Sequence, residues 1–167
     1  MSYYASKAGH SAQVVGELVM QQFERDVIQQ ALSILDSHLK TKGAALQSPE
    51  AVRDFLRLQL EQEESEVFAV LYLDSQHRLL AFKRMFNGTV DSAAVYPREV
   101  VKAGLALNAS AAIICHNHPS GDATPSNADR QLTVRLKDAL ALVDIRLVDH
   151  MVVGHKQIVS FAEQGWI

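Results

Sequence analysis

Two short segments constrain the fold more than anything else in this chain. Val67 to Leu73 is almost continuously apolar and rich in β-formers. Ala111 to Cys115 is shorter and equally apolar. Runs of this length and character read as strands buried on both faces, in a sheet covered on each side. The second run also delivers the chain straight into a polar stretch, His116-Asn117-His118-Pro119-Ser120-Gly121, followed by Pro125-Ser126 and Asp129.

The remaining elements arrange themselves around these two. Residues 1–11 read as a loose tail. Apolar residues from Gln13 to Lys40 recur at helical spacing, which predicts one long amphipathic helix, set apart from the core and closed by Gly43. Ser48-Pro49-Glu50 starts a second helix, with Ser48 as N-cap and Pro49 at the first helical position. Asp74 to His77 is a turn and Leu79 to Phe86 its hairpin partner, ending at the Asn87-Gly88 turn signal. Pro97 opens a helix, Ser126 to Val143 forms another, and Ile145 to Val153 and Gln157 to Phe161 are the closing strands. The division expected is a tail and helix over 1–45 and one domain over 46–167.

Composition narrows the class. A chain of 167 residues suits one domain with a real core. With 48% hydrophobic and 21% charged residues it resembles an ordinary soluble protein, and no apolar run is long enough for a membrane span. The net charge of −3, from 16 basic and 19 acidic residues, does not advertise a nucleic-acid partner, although it leaves one possible. A lone cysteine, Cys115, permits no internal disulfide, and the polar N-terminus carries no signal-peptide core. A cytoplasmic location is expected.

The polar stretch carries the chemistry. Side chains at i and i+2 of an extended segment point the same way, so His116 and His118 can aim at one point beyond a strand end. Pro119 and Pro125 stiffen the loop and Gly121 lets it turn back. Ser126-Asn127-Ala128-Asp129 begins a helix and places the Asp129 carboxylate in its first turn. Two imidazoles and a carboxylate leave a tetrahedral Zn²⁺ one open position, the mark of a catalytic site. The same letters have plainer readings: Ser-x-x-Asp is also a capping box, and the two readings are compatible. Two His and one carboxylate also match the facial triad of non-haem iron oxygenases, but a nearby Glu base favours zinc hydrolysis. Among Glu61, Glu63, Glu64 and Glu66, the choice falls on Glu66, in phase with Phe68, Val70 and Tyr72, where a carboxylate can point into a cleft. The plain alternative is a solvated acidic helix end.

Other residues are given lesser roles. Alternation turns Cys115 away from His116 and into the core. His150, after Asp149, is read as a satisfied core histidine ahead of a partner that orients a ligand. Arg98 and Glu99 form a local pair, and Trp166 seals the terminus.

The conjunction of Glu66, His116-x-His118 and Ser126-x-x-Asp129 resembles the JAMM (MPN-type) metalloproteins. Phe86-x-Gly88-Thr89, Tyr96-Pro97-Arg98-Glu99, the His116–Gly121 run, Pro125-Ser126 and Asp149-His150 resemble the bacterial RadC branch, over about residues 48–167. The resemblance implies an α/β fold of JAB type, related to the cytidine-deaminase architecture: a mixed central sheet flanked by helices, here with an extra N-terminal helix. It implies Zn²⁺ on His116, His118 and Asp129, Glu66 as the base that holds and deprotonates water, and Ser126 bonding the developing oxyanion. It implies hydrolysis of a peptide or isopeptide bond in a protein or peptide substrate. RadC proteins usually carry a longer N-terminal region resembling a helix-hairpin-helix DNA-binding element; only about 45 residues stand there here, as in short prophage-associated RadC-like proteins. A DNA-associated, repair-linked role and a non-catalytic partner-binding module are the alternatives.

Overall fold

The computed structural model describes residues 21–34, 49–88 and 95–167. In chain order these form α1 (residues 21–34), α2 (Pro49–Leu60), β1 (Val67–Leu73), β2 (Leu79–Asn87), α3 (Pro97–Ala106), β3 (Ala111–Asn117), α4 (Asn127–Ala141), β4 (Arg146–Val153) and β5 (Ile158–Ser160). The strands make one five-stranded sheet in the order β2-β1-β3-β4-β5. Only β3 and β4 run parallel; the other neighbours are antiparallel. The sheet is mixed and helices cover it, as expected. Gly43 and the Ser48 cap lie outside the described residues, as do the outer parts of the long helix.

Alternation along the two apolar strands builds two cores. Val67, Ala69, Leu71 and Leu73 of β1 join Ala111, Ile113 and Cys115 of β3 beneath Val52, Phe55, Leu56 and Leu60 of α2. Phe68, Val70 and Tyr72 join Ala112 and Ile114 on the other face, under Val100 of α3 and Leu132, Leu136 and Leu140 of α4. Every residue of β1 and β3 is buried, which is why neither shows an amphipathic pattern. Cys115 falls on the α2 face, and burial pushes its thiol pKa up. Tyr72 satisfies its buried hydroxyl by donating to the Val100 carbonyl at 2.8 Å.

The first helix is tied in at one end. Leu32 is buried in the α2-side core with Ile28 against it, whereas Phe23 and Val27 are exposed. A groove of about 860 Å³ runs between α1 and α2 and shares no residue with the site described below. Arg98 and Glu99 pair at 3.5 Å on the surface at the start of α3. Trp166 packs edge-on against Phe161 at 5.2 Å and lies under the Arg130 guanidinium, at 3.8 Å from it.

β3 corrects one expectation. It does not end at Cys115 but continues through His116 and Asn117, pairing Phe68 with His116 on one side and Asn117 with Val153 on the other. His116 is therefore a strand residue on the α4 face, and only His118 belongs to the loop. Polar side chains end the apolar signal, but the backbone ladder carries on past them.

Candidate metal centre

The site lies where β3 ends and α4 begins, in the crevice outside the carboxyl end of a strand, where open α/β sheets place ligands. Glu66, His116, His118 and Asp129 each bring one donor atom to a common point, all within 4.8 Å of one another. Strand alternation puts His116 there, fully buried. The turn His118–Gly121, closed by the Gly121 amide donating to the His118 carbonyl at 2.9 Å, puts His118 beside it, with the two Nε2 atoms 3.0 Å apart. The loop is laid back on β4: the His118 amide donates to the Val153 carbonyl at 2.8 Å, and the His155 amide to the Gly121 carbonyl at 2.9 Å. Gly121 has φ +85, which favours glycine.

Asp129 arrives at the site through helix capping. Ser126 is the N-cap of α4, its Oγ accepts from the Asp129 amide, and Asp129 answers by accepting from the Ser126 amide at 2.7 Å. The Ser126 hydroxyl donates to the same oxygen, Oδ2, at 2.7 Å. The capping box is formed and leaves room for the ligand reading: Oδ2 is held by the cap, 3.7 Å from His118 Nε2, and Oδ1 faces His116 Nε2 at 3.3 Å. The Ser126 hydroxyl is turned to Asp129 here.

The donor set suits a cation. His118 Nδ1 lies 2.7 Å from the Asp122 carbonyl, which can only accept, so Nδ1 holds the proton and Nε2 keeps its lone pair. Burial lowers the His116 pKa to about 4, only partly offset by Asp129, so this ring is neutral at neutral pH and its contact with Asp129 is not an ion pair. Burial pulls the Asp129 carboxyl up, but His118, His116 and the Ser126 hydrogen bonds outweigh it and hold the group well below the usual range. Asp129 opposite its ring raises the His118 pKa, against burial, so a proton competes for Nε2. Nitrogen bound to tetrahedral zinc at about 2.0–2.1 Å sits about 3.3 Å from its neighbouring ligands; the separations of 3.0 and 3.3 Å are of that size. Glu66 stands slightly apart, Oε1 3.9 Å from His116 Nε2, with 17% of its side chain exposed.

The family follows from this site and from sequence together. The RadC-like JAB domain signature matches residues 46–166, the whole of the described sheet and its helices from α2 on. The chain belongs to the RadC family. It is similar to a UPF0758 protein of Shewanella amazonensis, 60% identical over 126 residues, which cover 75% of this chain and 56% of that one. A UPF0758 protein of Vibrio cholerae is 54% identical over 144 residues, covering 86% and 90%. One of Stutzerimonas stutzeri is 58% identical over 126 residues, covering 75% and 56%. This RadC-family chain thus spans little more than half the length of the first of these relatives and nearly all of the second. No helix among its described residues is long and apolar enough to cross a membrane.

The structure brings Glu66, His116, His118 and Asp129 to one point with Ser126 capping the helix beside them; three further neighbours are Asn117 and Thr133, which the sequence analysis does not single out, and His150, which it gives a lesser role. Asn117, between the two histidines, points the other way. Its Oδ1 accepts from the Val67 amide at 2.8 Å and its Nδ2 donates to the Ser65 and Glu63 carbonyls at 3.1 and 3.3 Å, strapping down the segment that carries Glu66. Asn117→Asp keeps one of these bonds and sets an oxygen against two carbonyls; it is expected to destabilise the fold by about 2–4 kcal/mol in a denaturant melt. A loss under about 0.5 kcal/mol would show that the strap is idle. The other two are His150 and Thr133. His150 is buried with both ring nitrogens partnered, as the reading favoured above expects, and the partner of its Nε2, at 2.9 Å, is Nδ1 of His116. Thr133 meets its other nitrogen. Their signals were faint: Thr133 stands four residues after Asp129, on the same helix face, and His150 needs the β3–β4 register to be placed at all.

Proposed function

We propose that this chain is a zinc-dependent hydrolase of peptide or isopeptide bonds, with protein or peptide substrates. The observation that carries the reading is the convergence of two imidazole Nε2 atoms and one carboxylate oxygen on a point that a second, partly exposed carboxylate, Glu66, overlooks. His116, His118 and Asp129 would hold the ion, three ligands that leave a position open. When bound, zinc supplies a Lewis acid and lowers the pKa of water to about 7. The soft donors of structural zinc sites are lacking at this point, since Cys115 is on the opposite face.

The chain's own groups do the rest. Glu66 Oε1 accepts a proton from the attacking water and returns it to the leaving nitrogen. The segment before β1 is fixed by Asn117, so Glu66 keeps its distance from His116 Nε2. Ser126 is exposed at the rim; by rotating its hydroxyl off Asp129 it can donate to an oxyanion, while the Ser126 amide still holds Oδ2.

Glu66→Gln tests this. It is expected to retain about one zinc per chain, by elemental mass spectrometry, because three ligands remain. Cleavage of an internally quenched peptide library and of isopeptide-linked lysine conjugates is expected to fall by about 10²–10⁴-fold. Cleavage by the variant at the wild-type rate would remove Glu66 as the base and the mechanism with it.

A further inference from the structure

A chain of hydrogen bonds leaves His116 on the side away from the metal point and returns to the backbone of Asp129. His116 Nδ1 lies 2.9 Å from His150 Nε2. His150 Nδ1 lies 2.6 Å from Thr133 Oγ1. Thr133 Oγ1 lies 2.6 Å from the Asp129 carbonyl oxygen. All three side chains are buried, at 0%, 0% and 3% exposure, so water does not reroute the links.

Each link holds one hydrogen, so the chain can run in only two senses, and its far end decides between them. A backbone carbonyl accepts and never donates. Thr133 therefore gives its one hydrogen to the Asp129 carbonyl, the back-bond that threonine often makes within a helix. Having spent that hydrogen, Thr133 must accept from His150 Nδ1–H. His150 Nε2 is then a lone pair and must accept from His116 Nδ1–H. What remains on His116 is the Nε2 lone pair, 3.0 Å from that of His118. The opposite sense would leave the Thr133 and Asp129 oxygens 2.6 Å apart with no hydrogen between them. Its compensation would be one His116 Nε2–H bond, to His118 Nε2 at 3.0 Å or to Asp129 Oδ1 at 3.3 Å, against two buried oxygens left in contact without a hydrogen.

We propose that Thr133 and His150 are positioning residues that, through this chain, hold His116 in its Nδ1–H form and keep its Nε2 lone pair aimed at the metal point. The inference rests on the metal reading above. It gives the site one connected frame: the chain begins at one ligand and ends on the backbone of another, crossing β3, β4 and α4. The His150 ring plane is set by stacking on Phe161, with centroids 4.6 Å apart and planes 28° from parallel. Outer partners of this kind fix a ligand's tautomer and orientation in metal sites generally.

The test has two readouts besides activity. Long-range proton–nitrogen correlation spectra of histidine-labelled, metal-free wild type at neutral pH report which nitrogen of His116 bears hydrogen; Nδ1 is expected. Zinc titration against a competing chelator then compares Thr133→Val, which keeps the shape and loses the hydroxyl, with Thr133→Ser, which keeps the hydroxyl. Thr133→Val is expected to weaken zinc binding by about 10–100-fold and Thr133→Ser by less than about 3-fold. Zinc binding by a wild type whose His116 carries hydrogen on Nε2 when metal-free overturns the inference and spares the metal reading. So does a Thr133→Val protein that binds zinc as tightly as wild type. A wild type that binds no zinc overturns both, even with His116 in its Nδ1–H form.

Discussion

Asp129→Ala and His118→Ala are each expected to reduce bound zinc from about one per chain to near zero, measured by elemental mass spectrometry on protein prepared without tags or chelators. Each variant removes one of three lone pairs that face a common point, so the weakening should exceed the roughly 10–100-fold typical of an outer partner. The two variants should differ in stability. Asp129 Oδ2 accepts from both the amide and the hydroxyl of Ser126, so its loss removes the reciprocal half of the capping box while the Ser126 cap itself remains, and should cost about 1 kcal/mol beyond the metal effect. His118 is partly exposed and caps nothing, so His118→Ala should melt close to the metal-free wild type. Full zinc in either variant would sink the metal assignment.

Gly154→Ala is expected to damage the same site from behind, with no ligand touched. A Cβ on Gly154 would collide with the Gly121 carbonyl oxygen and come within 2.8 Å of the Ala123 amide nitrogen. These are backbone atoms and cannot swing aside. The loop they belong to carries the Asp122 carbonyl, which fixes the His118 ring at 2.7 Å. Relief of the clash must break the His155–Gly121 bond or move Asp122. We expect a loss of about 1–3 kcal/mol in thermal or denaturant melts from overpacking, and zinc affinity lowered by at least about 10-fold. Wild-type melting and affinity together would mean that the loop yields freely, contrary to its bonding to β4.

Much of this was legible in the residues, for reasons that also mark where legibility stopped. β1 was read at its true bounds because a strand buried on both faces announces itself by unbroken apolarity, and because polar residues flank it. Glu66 was read from its phase with Phe68, Val70 and Tyr72, and alternation does place it on the His116 side. β3 was cut short because His116 and Asn117 look like loop residues, although the first is a buried ligand candidate and the second a buried strap. The partner of His150 was illegible for a different reason. His150 is thirty-four residues from His116, and only the parallel crossover through α4, which sets Ile114 beside His150, brings the two rings together. Local spacing carries no record of such a crossover. The double use of Asp129 was legible in outline, since Ser-x-x-Asp fits both roles, but the division of labour between its two oxygens was not.

That division has a consequence for how an ion would be received. Each ring and carboxylate at the metal point already has its other atoms occupied: Nδ1 of His118 by a carbonyl, Nδ1 of His116 by His150, Oδ2 of Asp129 by a helix start. The rotamers are fixed before any ion arrives, so capture demands little further ordering of the polypeptide. In zinc fingers, by contrast, the ion assembles the domain and the empty polypeptide is a coil. Here the scaffold is preorganised, with two hydrophobic cores that owe nothing to metal. An ion held by His116, His118 and Asp129 would have to displace the proton competing at His118, but it would ask little rearrangement of the chain on arrival and leave the fold intact on departure.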